Sequence, residues 1–595
     1  MAADDIDSRI KYMLSDMTLD EKIGQMTQPE KNSIPVEDVT NYHIGSVLSG
    51  GGGNPEPNSP ADWRAMTIAF QEAALETRLG IPILYGVDAV HGHNNVRGAT
   101  IFPHNIGLGA AGDPHLVRRI GRVTALEMVA TGVHWNFAPA VSVPQDIRWG
   151  RTYEGFSQEP ELVGELGVAY LDGLQNAGDG RGLRHPHTVL GSIKHYLGDG
   201  GTTWGSASRF PWHEEIWGER TRITGIDQGL SEVDETTLRR VHLAPYERAL
   251  RAGARNVMAS YSSWNGIKMH AHRYLLTEVL KESLGFSGFL VSDWKGIDQI
   301  DPGDYYASVC RAINAGLDMV MVPFDYRGFI QALARAVERG DVPQDRIDDA
   351  VARILRVKLE MNLFERPLGD EALLERVGSS EHRAVAREAV SRSLVLLKNV
   401  HQALPLADHG RILVAGEAAD DIGLQCGGWT IEWMGARGPI TPGTTLLEAL
   451  REGSTGDVEY DPAGRFSESG DLAEYGIVVI AEPPYAEGVG DRADLQLPPE
   501  EVDLVERVRA RVRKLIVVQY SGRPLLINEP LAHADAWVAA WLPGTEGAGI
   551  ADALFGLKPF TGKLSHDWPR AVDQVPLSAL RNGTGPPLLP FGFGI

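Results

Sequence analysis

The sequence predicts an α/β protein built in two units. The first is a (β/α)8 barrel over residues 1–365, and the second is a smaller α/β sandwich over residues 381–595, with a linker at 366–380. Three observations lead there. With 595 residues the chain exceeds what one hydrophobic core organises. Short apolar runs alternate with amphipathic stretches, the pattern of parallel βα repeats. Polar side chains follow several of those runs, where a barrel keeps its chemistry.

Taken in order, Ile6, Ile10, Met13, Leu14 and Met17 follow helical spacing over residues 4–17. Thr18-Leu19-Asp20-Glu21 is a capping box that opens a second helix. Strand-like runs then appear at Ile44–Leu48, Ile81–Val87, Val133–Phe137, Val189–Ile193, Asn256–Ser260, Phe289–Ser292 and Met319–Val322. Between them lie helical patterns at Ala61–Thr77, Pro114–Thr131, Glu235–Ala252 and Arg273–Leu284. The pattern does not place an eighth strand. Gly50–Gly53 reads as a flexible loop. Pro367 marks the break after a helix ending near Asn362. Beyond the linker, a helix from Ser380 to Leu397 opens the second unit, with strands at Arg411–Ala415, Gly476–Ala481, Lys514–Val518, Leu525–Ile527 and Ala536–Ala540. Val414-Ala415-Gly416 follows a strand, but no phosphate-binding glycine loop continues it.

Bulk properties exclude some partners. The net charge is -23 and the sequence pI about 5.2, which disfavours nucleic acid and anionic membranes and suits a neutral substrate. Two cysteines, Cys310 and Cys426, cannot form a disulfide framework or a four-cysteine metal site. No apolar run is long enough to span a bilayer. The start Met-Ala-Ala-Asp-Asp-Ile-Asp lacks the basic and apolar segments of a signal peptide, so a cytoplasmic location is expected unless the native start was trimmed. No cofactor is implied, and His91 and His93 are expected to bond backbone carbonyls rather than a metal.

The chemistry-bearing residues collect at run ends. Asp88 and His91 follow Ile81–Val87, Lys194 and His195 follow Val189–Ile193, Tyr261 follows Asn256–Ser260, and Asp293 ends Phe289–Ser292. Taken alone, Asp293 could cap the next helix. A carboxylate at the end of a strand buried on both faces is costly unless it is paired or useful, so a catalytic acid at a barrel mouth is the sharper reading. Four strands ending in such residues favour it.

Several stretches together resemble family 3 of the glycoside hydrolases. They are Gly86-Val87-Asp88-Ala89-Val90-His91-Gly92, Arg148-Trp149-Gly150-Arg151-Thr152-Tyr153-Glu154, Lys194-His195-Tyr196 and Val291-Ser292-Asp293-Trp294. In the second unit, Cys426-Gly427-Gly428-Trp429-Thr430-Ile431-Glu432-Trp433 and the run from Ala481 to Asp491 join them. The likeness spans nearly the whole chain and favours the branch of plant β-D-glucan exohydrolases and bacterial β-glucosidases. It implies a retaining enzyme that releases glucose from non-reducing ends, accepting β-1,3 and β-1,4 linkages. Alternatives are a β-xylosidase, a β-glucosidase specialised for a plant glucoside, or a glucan-binding protein without activity.

The resemblance places the nucleophile on Asp293 and the acid/base on Glu487. It places sugar contacts on Asp88, Arg151, Lys194, His195 and Tyr261, and a wall on Met258. Trp294 and Trp433 match the pair that flanks the next sugar. Spacing alone does not choose Glu487 over Glu482 or Asp491. Lys194 and Arg151 are expected to lower the pKa of Asp293, and a partly desolvated cleft to raise that of Glu487. Arg148 is the expected structural ion-pair former, Trp429 a core residue and Glu432 a surface one. Leu197-Gly198-Asp199-Gly200-Gly201 replaces the Pro-Gly-His loop of the N-acetylglucosaminidase branch, which argues against that activity. Gln228 stands where the plant enzymes carry a Glu near the sugar, and the Trp-rich segment 204–226 departs from them in length.

Overall fold

The computed structural model describes residues 3–207, 225–407, 410–467, 471–581 and 583–595. Trp212 and Trp217 of the Trp-rich segment lie outside the described residues.

Eight parallel strands among the described residues form the barrel of the first unit. They are β1 (Thr27–Gln28), β2 (Ser46–Ser49), β3 (Leu84–Val87), β4 (Trp135–Asn136), β5 (Leu190–Tyr196), β6 (Asn256–Ala259), β7 (Phe289–Val291) and β8 (Val320–Met321). Strands β2 to β7 pair in sequence order, and β1 pairs with β8. Parallel bridges between Glu30 and Leu48 and between Val291 and Met319 join the two groups and close the barrel. All seven apolar runs became strands. The eighth, β1, has only two residues, Thr and Gln, so no apolar run announces it. It is held by side chains as well as by its ladder: Gln28 donates to Ser46 Oγ at 2.8 Å, and Ser46 donates to the Leu84 carbonyl at 2.6 Å.

Strand β5 runs further than the sequence pattern suggested, so Lys194 and His195 lie within it rather than after it. The surrounding helices begin where capping chemistry permits. Pro114–Ala130 starts with Pro at its first turn, and Asp113 accepts from the His115 and Leu116 N–H groups. The stretch Glu235–Arg251 is helical with a π segment at Leu238–Leu243, and Tyr274–Ser283 is a π-helix.

The second unit is a six-stranded sheet of β9 (Val395–Asn399), β10 (Ile412–Ala415), β11 (Val458–Tyr460), β12 (Ala473–Ala481), β13 (Val512–Tyr520) and β14 (Ala536–Trp541). Its order is β9-β14-β13-β12-β10-β11, with only β9 antiparallel. Two expectations fail here. The helix from Ser380 ends at Ser393, because Val395 and Leu396, and Lys398 and Asn399 past an irregularity, pair with β14 as an edge strand. Leu525–Ile527 forms no strand and makes only an isolated bridge from Leu526 to Gln496.

The sheet is buried on both faces, and its period of two divides the cores. In β13, Leu515 and Val517 join the core shared with the barrel, while Ile516, Val518 and Tyr520 face a separate core. Polar ties also cross between the units. Buried Glu127 accepts from Thr100 Oγ1, the Gly378 N–H and His382 Nδ1 at 2.8 to 3.0 Å. Among the described residues no helix is long and apolar enough to cross a membrane.

Candidate active site

A cavity of about 350 Å³ lies between the C-terminal ends of the barrel strands and loops of the second unit. Every site residue singled out in the sequence lines it: Asp88, Arg151, Lys194, His195, Met258, Tyr261, Asp293, Trp294, Trp433 and Glu487. A larger hollow of about 420 Å³ sits at the other end of the barrel, beside His134 and His187, and contains none of them. In barrels of this kind the C-terminal end carries the chemistry.

The barrel side is built from strand ends. Asp88, just past β3, accepts from Lys194 Nζ at 2.7 Å, and its carbonyl accepts from Asn94 and Asn95. Asp293 follows β7 and is buried. Its N–H donates to His270 Nε2 at 2.9 Å, and its Oδ1 accepts from the Trp294 N–H at 2.7 Å. Asp293 therefore does not cap a helix with its side chain. Its Oδ2 has no hydrogen-bond partner among the described residues and lies 3.8 Å from His195 Nε2. Tyr261 Oη donates to the Trp294 carbonyl at 2.5 Å, which fixes the indole at the mouth.

The other side is the loop after β12. Glu487 projects from it at a φ of 51°, a left-handed conformation that costs a non-glycine residue energy and persists where surroundings impose it. Those surroundings are visible. The Gly150 Cα passes so near that an added Cβ would lie 1.8 Å from the Glu487 carbonyl oxygen, which explains a glycine in Arg148-Trp149-Gly150-Arg151. Arg523, fully buried, donates to the carbonyls of Arg148 at 3.0 Å and Gly490 at 2.6 Å, tying the barrel loop to the Glu487 loop.

Arg151 stands between the two carboxylates. Its Nη2 bonds Glu154 at 2.9 Å and His195 Nε2 at 3.0 Å, and its Nη1 lies 3.4 Å from Glu487 Oε1. Burial opposes its charge, yet Glu154, Glu487, Asp227 and Asp293 hold it above the usual guanidinium range. Arg148 instead pairs with Asp146 and lies against the Trp204 ring at 4.6 Å, the structural role expected of it.

Burial raises the pKa of Glu487 to about 8; Arg151 opposes the rise, and Asp227 and Asp293 add to it. Asp293 departs from expectation. Burial raises it to about 6, outweighing Arg151 and Lys194. The physical reason is that Lys194 is already paired with Asp88, and Arg151 is shared among several carboxylates, while no solvent reaches the Asp293 side chain freely.

The structure also separates the three candidate acids. Glu482 is bonded to the Gly522 N–H and Tyr485 Oη, both at 3.0 Å, and lies 3.3 Å from Arg523. Asp491 accepts from the N–H groups of Gly150, Ile226 and Asp227 at 2.7 to 2.8 Å. Only Glu487 of the three reaches the cavity.

Several readings need correction. Gly50–Gly53 is a packed rim rather than a flexible loop: a Cβ on Gly50 would lie 3.1 Å from the Trp294 ring, and one on Gly51 would lie 2.6 Å from Trp433 Cα. Trp429 is buried but also lines the cavity, and its Nε1 donates to Glu154 at 3.1 Å. Glu432 is exposed, yet it borders the cavity mouth. Gln228 does not face the cavity, since its Oε1 accepts from Gln299 at 2.9 Å and its carbonyl from Lys268 at 3.2 Å. His91 Nδ1 bonds the Phe102 carbonyl as expected, whereas His93 Nε2 bonds Thr131 Oγ1. Sequence reasoning missed His270, Arg523 and Asp227, whose Oδ1 accepts from Trp149 Nε1 at 2.8 Å. Their roles arise through contacts that no local pattern carries.

A buried carboxyl group just past a barrel strand and a half-buried one on a loop of the second sheet, both with raised pKa values, share a cavity rimmed by tryptophans. Glycoside hydrolases use a constellation of that kind. The chain belongs to glycosyl hydrolase family 3: the family's N-terminal domain model matches residues 18–357 and its C-terminal domain model residues 394–595. It is 32% identical over 99% of its length to a lysosomal β-glucosidase of Dictyostelium discoideum, covering 76% of that protein. The exo-1,3/1,4-β-glucanase of a Pseudoalteromonas species superposes with a TM-score of 0.91 at 38% identity, over 99% of this chain and 74% of that one. A mutant β-glucosidase of Listeria innocua in complex with laminaribiose gives 0.84 at 27% identity, over 99% and 83%.

Proposed function

We propose that the protein is an exo-acting, retaining β-glucosidase that releases glucose from the non-reducing ends of β-1,3- and β-1,4-linked gluco-oligosaccharides. Asp293 is the nucleophile and Glu487 the acid/base. The observation that carries this reading is the opposed state of two acids in one cavity. With apparent values near 6 and 8, Asp293 is ionised and Glu487 protonated around neutrality.

In the first step Asp293 Oδ2 attacks the anomeric carbon while Glu487 gives its proton to the departing glycosidic oxygen. A glycosyl ester forms and the aglycone alcohol leaves. Glu487, now ionised, takes a proton from water, which attacks the same carbon and frees Asp293 with the β-configuration restored. The Asp88–Lys194 pair and Arg151 supply charge-assisted hydrogen bonds to sugar hydroxyls. In this reading Asp88 closes the pocket at the terminal sugar, which makes the action exo. Trp294 and Trp433 hold the second sugar by its apolar faces, with little demand on linkage. The comparison with the exo-1,3/1,4-β-glucanase supports that breadth. We place the division between the two units at 366–380, a reading supported by the gap between the matched family domains.

The test is NMR of the sugar first released from laminaribiose, with Asp293→Asn run alongside. Early β-glucose from the wild type and none from the variant is expected. Early α-glucose would mean inversion and overturn the assignment of Asp293 as nucleophile.

A further inference from the structure

Strand β8 carries Met321 in the cavity wall, and Phe324, three residues on, lies against the Trp294 ring. Phe324 is 47% exposed, so part of its ring surface is open to solvent. Its ring centre lies 5.5 Å from that of Trp294, at an interplanar angle of 86°. Trp294 is itself fixed, by the Tyr261 hydroxyl on its carbonyl and by Gly50 against its ring. Lys295, at a φ of 52°, turns the chain so that its Nζ sits 5.8 Å over the Phe324 ring and 3.3 Å from Asp298. One face of Phe324 is thus backed by a charged side chain, and the ring stands as a second wall at a right angle to the indole, outside the cavity.

We propose that Phe324 forms a further sugar subsite, which binds the third glucosyl residue of a β-linked gluco-oligosaccharide. The inference rests on the functional reading above, which seats the first sugar at Asp88 and Lys194 and the second between Trp294 and Trp433. A chain leaving that second position passes the outer edge of Trp294 and meets the exposed phenyl face. Aromatic rings bind the C–H faces of sugars by burying apolar surface without consuming hydrogen-bond donors. The right-angled corner suits a curved β-1,3 chain better than the flat β-1,4 ribbon, so laminari-oligosaccharides are the probes.

The experiment compares laminaritriose with laminaribiose for wild type and Phe324→Ala. The wild type is expected to show a kcat/KM advantage for the trisaccharide of roughly three- to tenfold, from the energy of one aromatic stacking contact. Phe324→Ala should lose that advantage while its laminaribiose kinetics stay within about twofold of wild type, since a surface ring supports no core. Phe324→Trp should retain it. The same comparison is made by calorimetric binding to Asp293→Asn, with and without Phe324→Ala, so that turnover is not required. A trisaccharide-over-disaccharide affinity ratio that disappears with Phe324 supports the subsite. A ratio unchanged by Phe324→Ala overturns it, as does a ratio of one in the parent variant. Intact ratios in binding with no glucose released by the wild type would overturn the hydrolytic reading alone.

Discussion

The titration of the two acids gives the most exacting test of the site, with Glu487→Gln as the perturbation. Reaction requires Asp293 without its proton and Glu487 with one. Activity therefore rises as pH climbs through about 6 and falls as pH climbs through about 8. The productive form makes up roughly 80% of the enzyme at pH 7 and about a tenth at pH 5 and pH 9, so kcat/KM falls about eight- to tenfold two units either side of its maximum. Replacing Glu487 by Gln removes the group that must stay protonated. The basic limb should vanish and the acidic limb near 6 should remain, because protonated Glu487 already carries no charge there. With laminaribiose, whose leaving alcohol needs a proton, kcat/KM should drop about 10²- to 10⁴-fold. With dinitrophenyl β-glucoside, whose leaving group departs unaided, the loss in kcat/KM should be slight. The assay is kcat/KM against pH for both substrates and both proteins. A basic limb that persists in Glu487→Gln would refute the reasoning, since another group would then be titrating.

Three further predictions concern the frame around that site. Asp293 is held near 6 in the folded protein against an ordinary 3.8, so the stability it lends below pH 4 is lost as pH rises through 6. Asp293→Asn, although inactive, should therefore be more stable than wild type at pH 7 by up to about 3 kcal/mol, and no more stable at pH 4. Thermal unfolding at both pH values checks this, and an equal difference at both would contradict it. Arg523→Met removes the guanidinium that ties the Arg148 and Gly490 carbonyls and leaves Glu482 buried without that cation. A loss of about 3–5 kcal/mol follows for a broken buried pair, with kcat on laminaribiose down about 10- to 100-fold as the Glu487 loop loosens. Wild-type urea midpoints and kcat would rule this out. Gly51→Ala would press a methyl group to within 2.6 Å of Trp433. KM for laminaribiose should rise several-fold while kcat for dinitrophenyl β-glucoside holds, and an unchanged KM would show that the rim yields freely.

The sequence by itself determined the elements whose signals are local. Seven of the eight barrel strands were legible because a strand covered on both faces is a short apolar run. Asp293 and Lys194 were legible because chemistry at several strand ends is hard to attribute to capping. The motif likeness brought Glu487, Arg151 and the two tryptophans to the same cavity before any fold was known. Tertiary structure decided the rest. Strand β1 has no apolar pattern and exists because Val320 and Leu48 bring partners to either side of it. Glu482, Glu487 and Asp491 are chemically alike along the chain. They differ because Arg523 and the Gly522 N–H engage the first, while three backbone N–H groups satisfy the third. The direction of the Asp293 shift was likewise beyond the sequence. Counting nearby cations predicts a fall, but the rise depends on how fully the folded chain withdraws the carboxyl from water, and that desolvation is a property of the whole enclosure rather than of any neighbouring residue.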